Sequence, residues 1–228
     1  MERVIQPLES LARKIATDVA TVVNGALKTR PSFNLVLTGG TLGIATAEEL
    51  AKQRVDWSRV FIWFGDERFV PLDHPDRNEA QALAVWPGLA EAKFRRYPDS
   101  TALLEQAAAD FSRELEAEFG ALEAPDSVFD LVLLGMGPDG HVASLFPGHS
   151  HYPAWIVPEP ASPKPPSERL SMSYEALNRA DRVWFIASGA GKAEALRSGM
   201  REDGLPVGHV RGLNETICYL DTELSDAL

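Results

Sequence analysis

The chain has 228 residues, which fits one large α/β domain or one domain with a small lobe, and its core needs no disulfide staples. Its hydrophobic fraction of 45% and charged fraction of 24% are ordinary for a globular protein. A formal net charge of −11 disfavours generic binding to nucleic acid or to an anionic membrane, so an anionic small ligand would need a locally basic site.

The lone cysteine, Cys218, lies in an apolar run and reads as a small buried hydrophobe. The opening Met1-Glu2-Arg3-Val4 leads into no continuous apolar segment of the kind a signal peptide carries. No stretch approaches ~18 uninterrupted apolar residues, so a cytoplasmic protein without a membrane span is expected.

Val4, Leu8, Leu11, Ile15, Val19 and Val22 recur at steps of three and four, which predicts an amphipathic opening helix. Phe33-Asn34-Leu35-Val36-Leu37 reads as a buried strand ending in Thr38-Gly39-Gly40-Thr41, with a helix over 44–52 after it. Val60-Phe61-Ile62-Trp63-Phe64 is the next strand, ending in the loop Gly65-Asp66-Glu67-Arg68, and a helix through 78–83 follows. A long helix is predicted over 101–119. Phe129-Asp130-Leu131-Val132-Leu133-Leu134 is the third clear strand, followed by Gly135-Met136-Gly137-Pro138-Asp139-Gly140-His141. Residues 147–167 hold seven prolines and read mostly as loop, with a short strand at 155–157. Residues 169–173 alternate like a strand. Arg182-Val183-Trp184-Phe185-Ile186-Ala187 is buried, Ser188-Gly189-Ala190-Gly191-Lys192 opens a helix, and 217–220 closes the sheet.

Buried strands alternating with helices predict one α/β domain over 1–228, with a doubly wound, mainly parallel, Rossmann-like sheet. In such sheets ligands bind outside the carboxyl ends of the strands. Four post-strand loops here carry glycine with polar or charged residues, and that coincidence locates the site. Gly39, Gly40 and Thr41 suit close approach of the backbone to an anion; the same residues also suit a tight turn with a helix cap. Arg68 offers a planar fork of donors for a phosphate, with Asp66 and Glu67 placed to orient it; a surface ion-pair cluster is the alternative. Lys192, at a helix start, suits a phosphate beside the helix amides, or simple solvation.

The loop 135–141 contains a literal G-x-G-x-x-G, and Glu159 lies at the further spacing a dinucleotide fingerprint requires. That reading fails on two counts. Asp139 puts a carboxylate inside the loop meant for a pyrophosphate, and Pro147-Gly148 arrives too soon for a crossover helix. A carboxylate and an imidazole two residues apart on a Gly-rich loop suit proton transfer, while a structural turn with a capping Asp is the bland alternative. His149-Ser150-His151 lacks a third ligand at helpful spacing, so no metal is expected.

At these residues the sequence resembles the 6-phosphogluconolactonase family, in the fold group that includes glucosamine-6-phosphate deaminase and ribose-5-phosphate isomerase. The resemblance spans nearly the whole chain. Its anchors are residues 37–41, 63–71, 135–147, 165–171 and 189–193. The run Asp139-Gly140-His141-Val142-Ala143-Ser144-Leu145-Phe146-Pro147 is specific when paired with Gly65-Asp66-Glu67-Arg68. The deaminases are similar in Asp-Gly-His but carry a catalytic glutamate before the proline, where this chain has Phe146. Thr41 stands where the family usually has Ser, and Asp76-Arg77-Asn78 where Asp-Ser-Asn is usual. The resemblance implies hydrolysis of 6-phospho-D-glucono-1,5-lactone in the oxidative pentose phosphate pathway, without metal or other cofactor. His141 would be the general base and then acid, with Asp139 orienting it. Gly39, Gly40, Thr41, Asp66, Arg68, Gly137, Arg169 and Lys192 would bind substrate and its phosphate, Arg169 by contact or by sealing the site. The expected partner is a small phosphosugar lactone, with no nucleic acid and no membrane, and the chain a monomer or small homo-oligomer.

Overall fold

A computed structural model describes residues 2–121, 126–149, 152–201 and 204–228. In chain order the elements are β1 (Glu2–Gln6), α1 (Leu8–Ala26), β2 (Phe33–Leu37), α2 (Gly40–Leu50), β3 (Val60–Phe64), β4 (Asp66–Arg68), α3 (Asn78–Val85), β5 (Lys93–Phe94) and α4 (Leu104–Phe119). They continue with β6 (Phe129–Gly135), β7 (Ile156–Glu159), β8 (Arg169–Met172), α5 (Tyr174–Leu177), β9 (Ala180–Ala187), α6 (Ala193–Met200), β10 (Glu215–Asp221) and α7 (Thr222–Asp226).

Seven strands form one parallel sheet in the order β1-β10-β9-β6-β2-β3-β5, flanked by helices. The central strands carry near-continuous apolar runs because helices cover the sheet. Phe33, Leu35, Leu131, Val132 and Val183 are fully buried. No helix among the described residues is long and apolar enough to cross a membrane.

The strand order explains where a site can form. From β2 the chain winds outward through β3 to β5, and from β6 it winds the other way through β9 to β10. The order therefore reverses between β2 and β6, and the loops leaving these two strands diverge to opposite faces, opening a crevice at their carboxyl ends. Thr38 Oγ1 accepts a hydrogen bond from the Gly135 amide at 3.2 Å, tying the two loops across it.

Several boundaries differ from the sequence expectation. Val4 is not on the opening helix; it lies in β1, paired with Tyr219 of β10. Pro7 lacks an N–H and biases the residue before it away from helical backbone, so the helix begins at Leu8. The sheet is consequently closed by β1, which covers the edge that β10 would otherwise leave open. Helix α2 starts at Gly40, ahead of residue 44. Helix α4 starts at Leu104, because the Thr101 amide and hydroxyl both bond the Asp99 carboxylate in a preceding turn.

The largest difference is at Asp66–Arg68. These residues form no free loop; they make strand β4 of a second, antiparallel sheet in the order β4-β8-β7. Its register sets Asp66 opposite Ser171, Glu67 opposite Leu170 and Arg68 opposite Arg169. The partner strand lies about a hundred residues away in sequence, so no local pattern announces the pairing.

Candidate functional site

A cleft of about 350 Å³ opens where the loops after β2, β3, β6 and β9 meet. Its walls include Gly39, Gly40, Thr41, Asp66, Arg68, Gly137, His141, Arg169 and Lys192. Asp139 stands behind His141. Gly40 takes φ +78°, a left-handed conformation that side chains disfavour, and with it the chain turns straight from β2 into α2.

The loop after β6 is folded on itself. The Gly137 amide donates to the His141 carbonyl at 2.9 Å, and the Gly140 amide donates to Gly137 at 3.1 Å. This brings His141 Nδ1 to 2.6 Å from Asp139 Oδ1. Burial pushes the Asp139 carboxyl up, but the charge of His141 and its hydrogen bonds outweigh this and hold it below the ordinary carboxylate value. An ionised carboxylate only accepts, so the neutral ring carries its proton on Nδ1 and presents the Nε2 lone pair on its other side. Phe146 packs against the imidazole with ring centroids 4.7 Å apart. A Cβ on Gly137 would lie 2.1 Å from His141 Nδ1 and 2.5 Å from Asp139 Oδ1, so the pair lies directly against bare backbone.

The opposite wall is cationic. Arg68 projects from β4, and its Nη1 donates to the Asp76 carbonyl at 2.5 Å. Its Nε is buried and, among the described residues, has no hydrogen-bond partner. Lys192 ends a 3-10 turn, Ala190–Lys192, at the start of α6. Burial lowers the Lys192 pKa, the charge of Lys164 lowers it further, and Asp221 works against both.

The carboxylates serve other partners than the sequence suggested. Asp66 does not orient Arg68. Its Oδ2 accepts from the Ser144 hydroxyl at 2.6 Å and lies 3.7 Å from Arg169 Nη1. Glu67 bonds the Arg68 backbone amide at 2.8 Å and not its guanidinium. Alternation along β4 turns Glu67 away from the Arg68 side chain, while Asp66, on the same face as Arg68, is engaged by Ser144 and Arg169. Arg169 is buried, with Nε donating to the Pro166 carbonyl at 3.1 Å and Nη2 to the Lys164 carbonyl at 2.9 Å. It acts as the clamp that folds the proline-rich loop onto the cleft.

That clamp delivers a cation the sequence reading passed over. Lys164 lines the cleft from the proline-rich loop, together with Asn78, Thr38 and Ser188 from the other walls. A single lysine among prolines looks like any solvated lysine, and only its place beside the Pro165-Pro166-Ser167-Glu168-Arg169 run marked it. Away from the cleft, His149 Nδ1 meets Glu159 Oε2 at 2.6 Å. His151 lies outside the described residues, among which no three His, Cys, Asp or Glu side chains gather as a metal site would require. The arrangement thus unites one oriented imidazole with a cluster of cations in a strongly acidic chain.

Known proteins share the sequence pattern and the fold. A family model described as glucosamine-6-phosphate isomerases/6-phosphogluconolactonase matches residues 6–218. A 6-phosphogluconolactonase of Mycobacterium leprae is 36% identical over 219 residues, covering 90% of this chain and 89% of its own. The crystal structure of the Thermotoga maritima 6-phosphogluconolactonase superposes with a TM-score of 0.81 at 28% identity, covering 97% of this chain and all of the other. A monomeric glucosamine-6-phosphate deaminase shares the fold, with a TM-score of 0.77 at 19% identity over the whole of both chains.

Proposed function

The chain belongs to the 6-phosphogluconolactonase family of hydrolases, and from that premise we propose that it hydrolyses 6-phospho-D-glucono-1,5-lactone to 6-phosphogluconate by general-base activation of water at His141. The observation that carries the mechanism is the 2.6 Å contact between His141 and Asp139, facing a wall of Arg68, Lys164 and Lys192 in one cleft.

The steps follow from what each group can do. The cations take the phosphate, and in doing so place the lactone carbonyl near His141. Nε2 removes a proton from a water as it attacks the carbonyl carbon, and the imidazolium formed is stabilised by Asp139. Charge gathers on the former carbonyl oxygen, where a hydrogen-bond donor stabilises it. Collapse of the intermediate breaks the bond from that carbon to the ring oxygen. His141 returns the proton to the ring oxygen, leaving a carboxylic acid and a free hydroxyl. The carboxylic acid then ionises in water, and His141 is ready again. The apolar Phe146, where a deaminase-like site would need a further carboxylate, supports hydrolysis over deamination.

The test is direct. Freshly prepared 6-phosphogluconolactone is given to the purified protein, and 6-phosphogluconate formation is followed with spontaneous hydrolysis subtracted. Saturable acceleration is expected. A rate no different from buffer overturns the assignment.

A further inference from the structure

Behind the cationic wall lies a pair of charges whose burial needs a reason. The Glu67 and Arg77 side chains are 2% and 0% exposed, with Oε2 and Nε 3.9 Å apart. A buried ion pair generally stabilises a fold no better than apolar groups of the same volume. Its value must then lie in position. Glu67 Oε1 accepts from the amides of Arg68 at 2.8 Å and Asn78 at 2.7 Å, and Oε2 accepts from the amide of Glu79 at 3.0 Å. One carboxylate thus sits on β4 and caps the first turn of α3. Arg77 is itself immobilised, donating to the carbonyls of Val70 at 3.2 Å and Tyr97 at 2.9 Å.

The residues held by this latch are those that face the cleft. Arg68 is fixed through its own amide by Glu67 and through its guanidinium by Asp76, just ahead of α3. Asn78 donates from Nδ2 to the Asp66 carbonyl at 2.8 Å, while among the described residues its buried Oδ1 has no hydrogen-bond partner.

We propose that Glu67, paired with Arg77, is the positioning residue of the anion site, locking β4 to α3 so that Arg68 meets the substrate phosphate. The inference rests on the reading of the cleft given under the proposed function. Glu67 touches no substrate; it acts through Arg68, whose amide it anchors.

The test is Glu67→Gln at a pH above 7, where the Glu67 carboxyl is ionised; the variant keeps the shape and one acceptor oxygen and removes the charge. Rates are measured on the phosphorylated lactone and on unphosphorylated glucono-1,5-lactone, with inorganic phosphate as competitor. The KM for the phosphorylated lactone and the Ki of phosphate should both rise about 10-fold, the lower range for a charge-assisted contact, with kcat within about twofold. Turnover of the unphosphorylated lactone should be unchanged. In an Arg68→Ala background the same substitution should alter the KM by less than about twofold, because no guanidinium remains to be misplaced. Equal losses on both lactones, or losses that multiply in the double variant, overturn the proposal. If the Gln variant does not fold, Glu67→Asp keeps the charge with a shorter reach and should raise the phosphate Ki part of the way; an unchanged Ki overturns the proposal. Failure of the wild type to discriminate between the lactones would instead remove the phosphate-site reading itself. Discrimination kept intact in Glu67→Gln would remove only the role of Glu67.

Discussion

Gly137→Ala is the smallest change that should disable the proposed chemistry while sparing the anion site. The added methyl would lie 2.1 Å from His141 Nδ1, 2.2 Å from its Cε1 and 2.5 Å from Asp139 Oδ1. Ordinary van der Waals contact begins near 3.4 Å, so the ring must retreat by more than ~1 Å. The retreat is resisted, because buried Phe146 packs 4.7 Å from the imidazole centroid. A misplacement of ~1 Å in a reacting group costs about 10²-fold in rate, and kcat should fall by that order. Overpacking costs about 1–3 kcal/mol of stability, and this partly exposed loop should lie at the low end. Arg68 stands on β4 and Lys192 on the turn before α6, so the Ki of 6-phosphogluconate should stay within about threefold. Initial rates, product inhibition and a thermal melt on one preparation decide the matter. A folded variant with wild-type kcat would refute the claim that His141 must lie against bare backbone. A Ki that rose as far as kcat fell would show the distortion spreading through the whole cleft.

Removing the imidazole in His141→Ala should lower kcat by about 10²–10⁴-fold with product affinity within a few-fold, and wild-type turnover in a folded sample would end its role as base. Arg68→Ala and Lys192→Ala should each raise the KM for the phosphorylated lactone by about 10- to 150-fold and affect the unphosphorylated lactone far less; equal losses would mean these residues do not read the phosphate. Burial pushes the Glu67 carboxyl up from 4.5 to about 7, against the amides of Glu79, Asn78 and Arg68 and the charge of Arg77. Across that window the folded chain keeps a proton that the unfolded chain has released, so this group makes stability fall as pH rises from 4.5 to 7. Glu67→Gln should remove that decline, a difference of up to roughly 3 kcal/mol between about pH 5 and pH 8 in denaturant titrations; parallel wild-type and variant curves would refute it.

What the sequence determined by itself was everything carried by local chemistry. Central parallel strands are covered on both faces, so 33–37, 60–64, 129–134 and 182–187 read as apolar runs without knowledge of their neighbours. Turn and loop chemistry is equally local, which is why the Gly-rich loops and the spacing of Asp139 and His141 could be read from the chain alone. Pairing across the fold is not local. Edge strand β1 looked like the start of α1, since only the open side of β10 gives it a reason to extend. The pairing of Asp66–Arg68 with a strand about a hundred residues later decided that Asp66 would face Arg169 and that Glu67 would cap α3. Lys164 became part of the cleft only because the buried Arg169 binds its carbonyl and folds the proline-rich loop inward. Which charge meets which along β4 is set by its register with a distant strand, and a one-residue shift there would have turned Asp66, Glu67 and Arg68 to the other face.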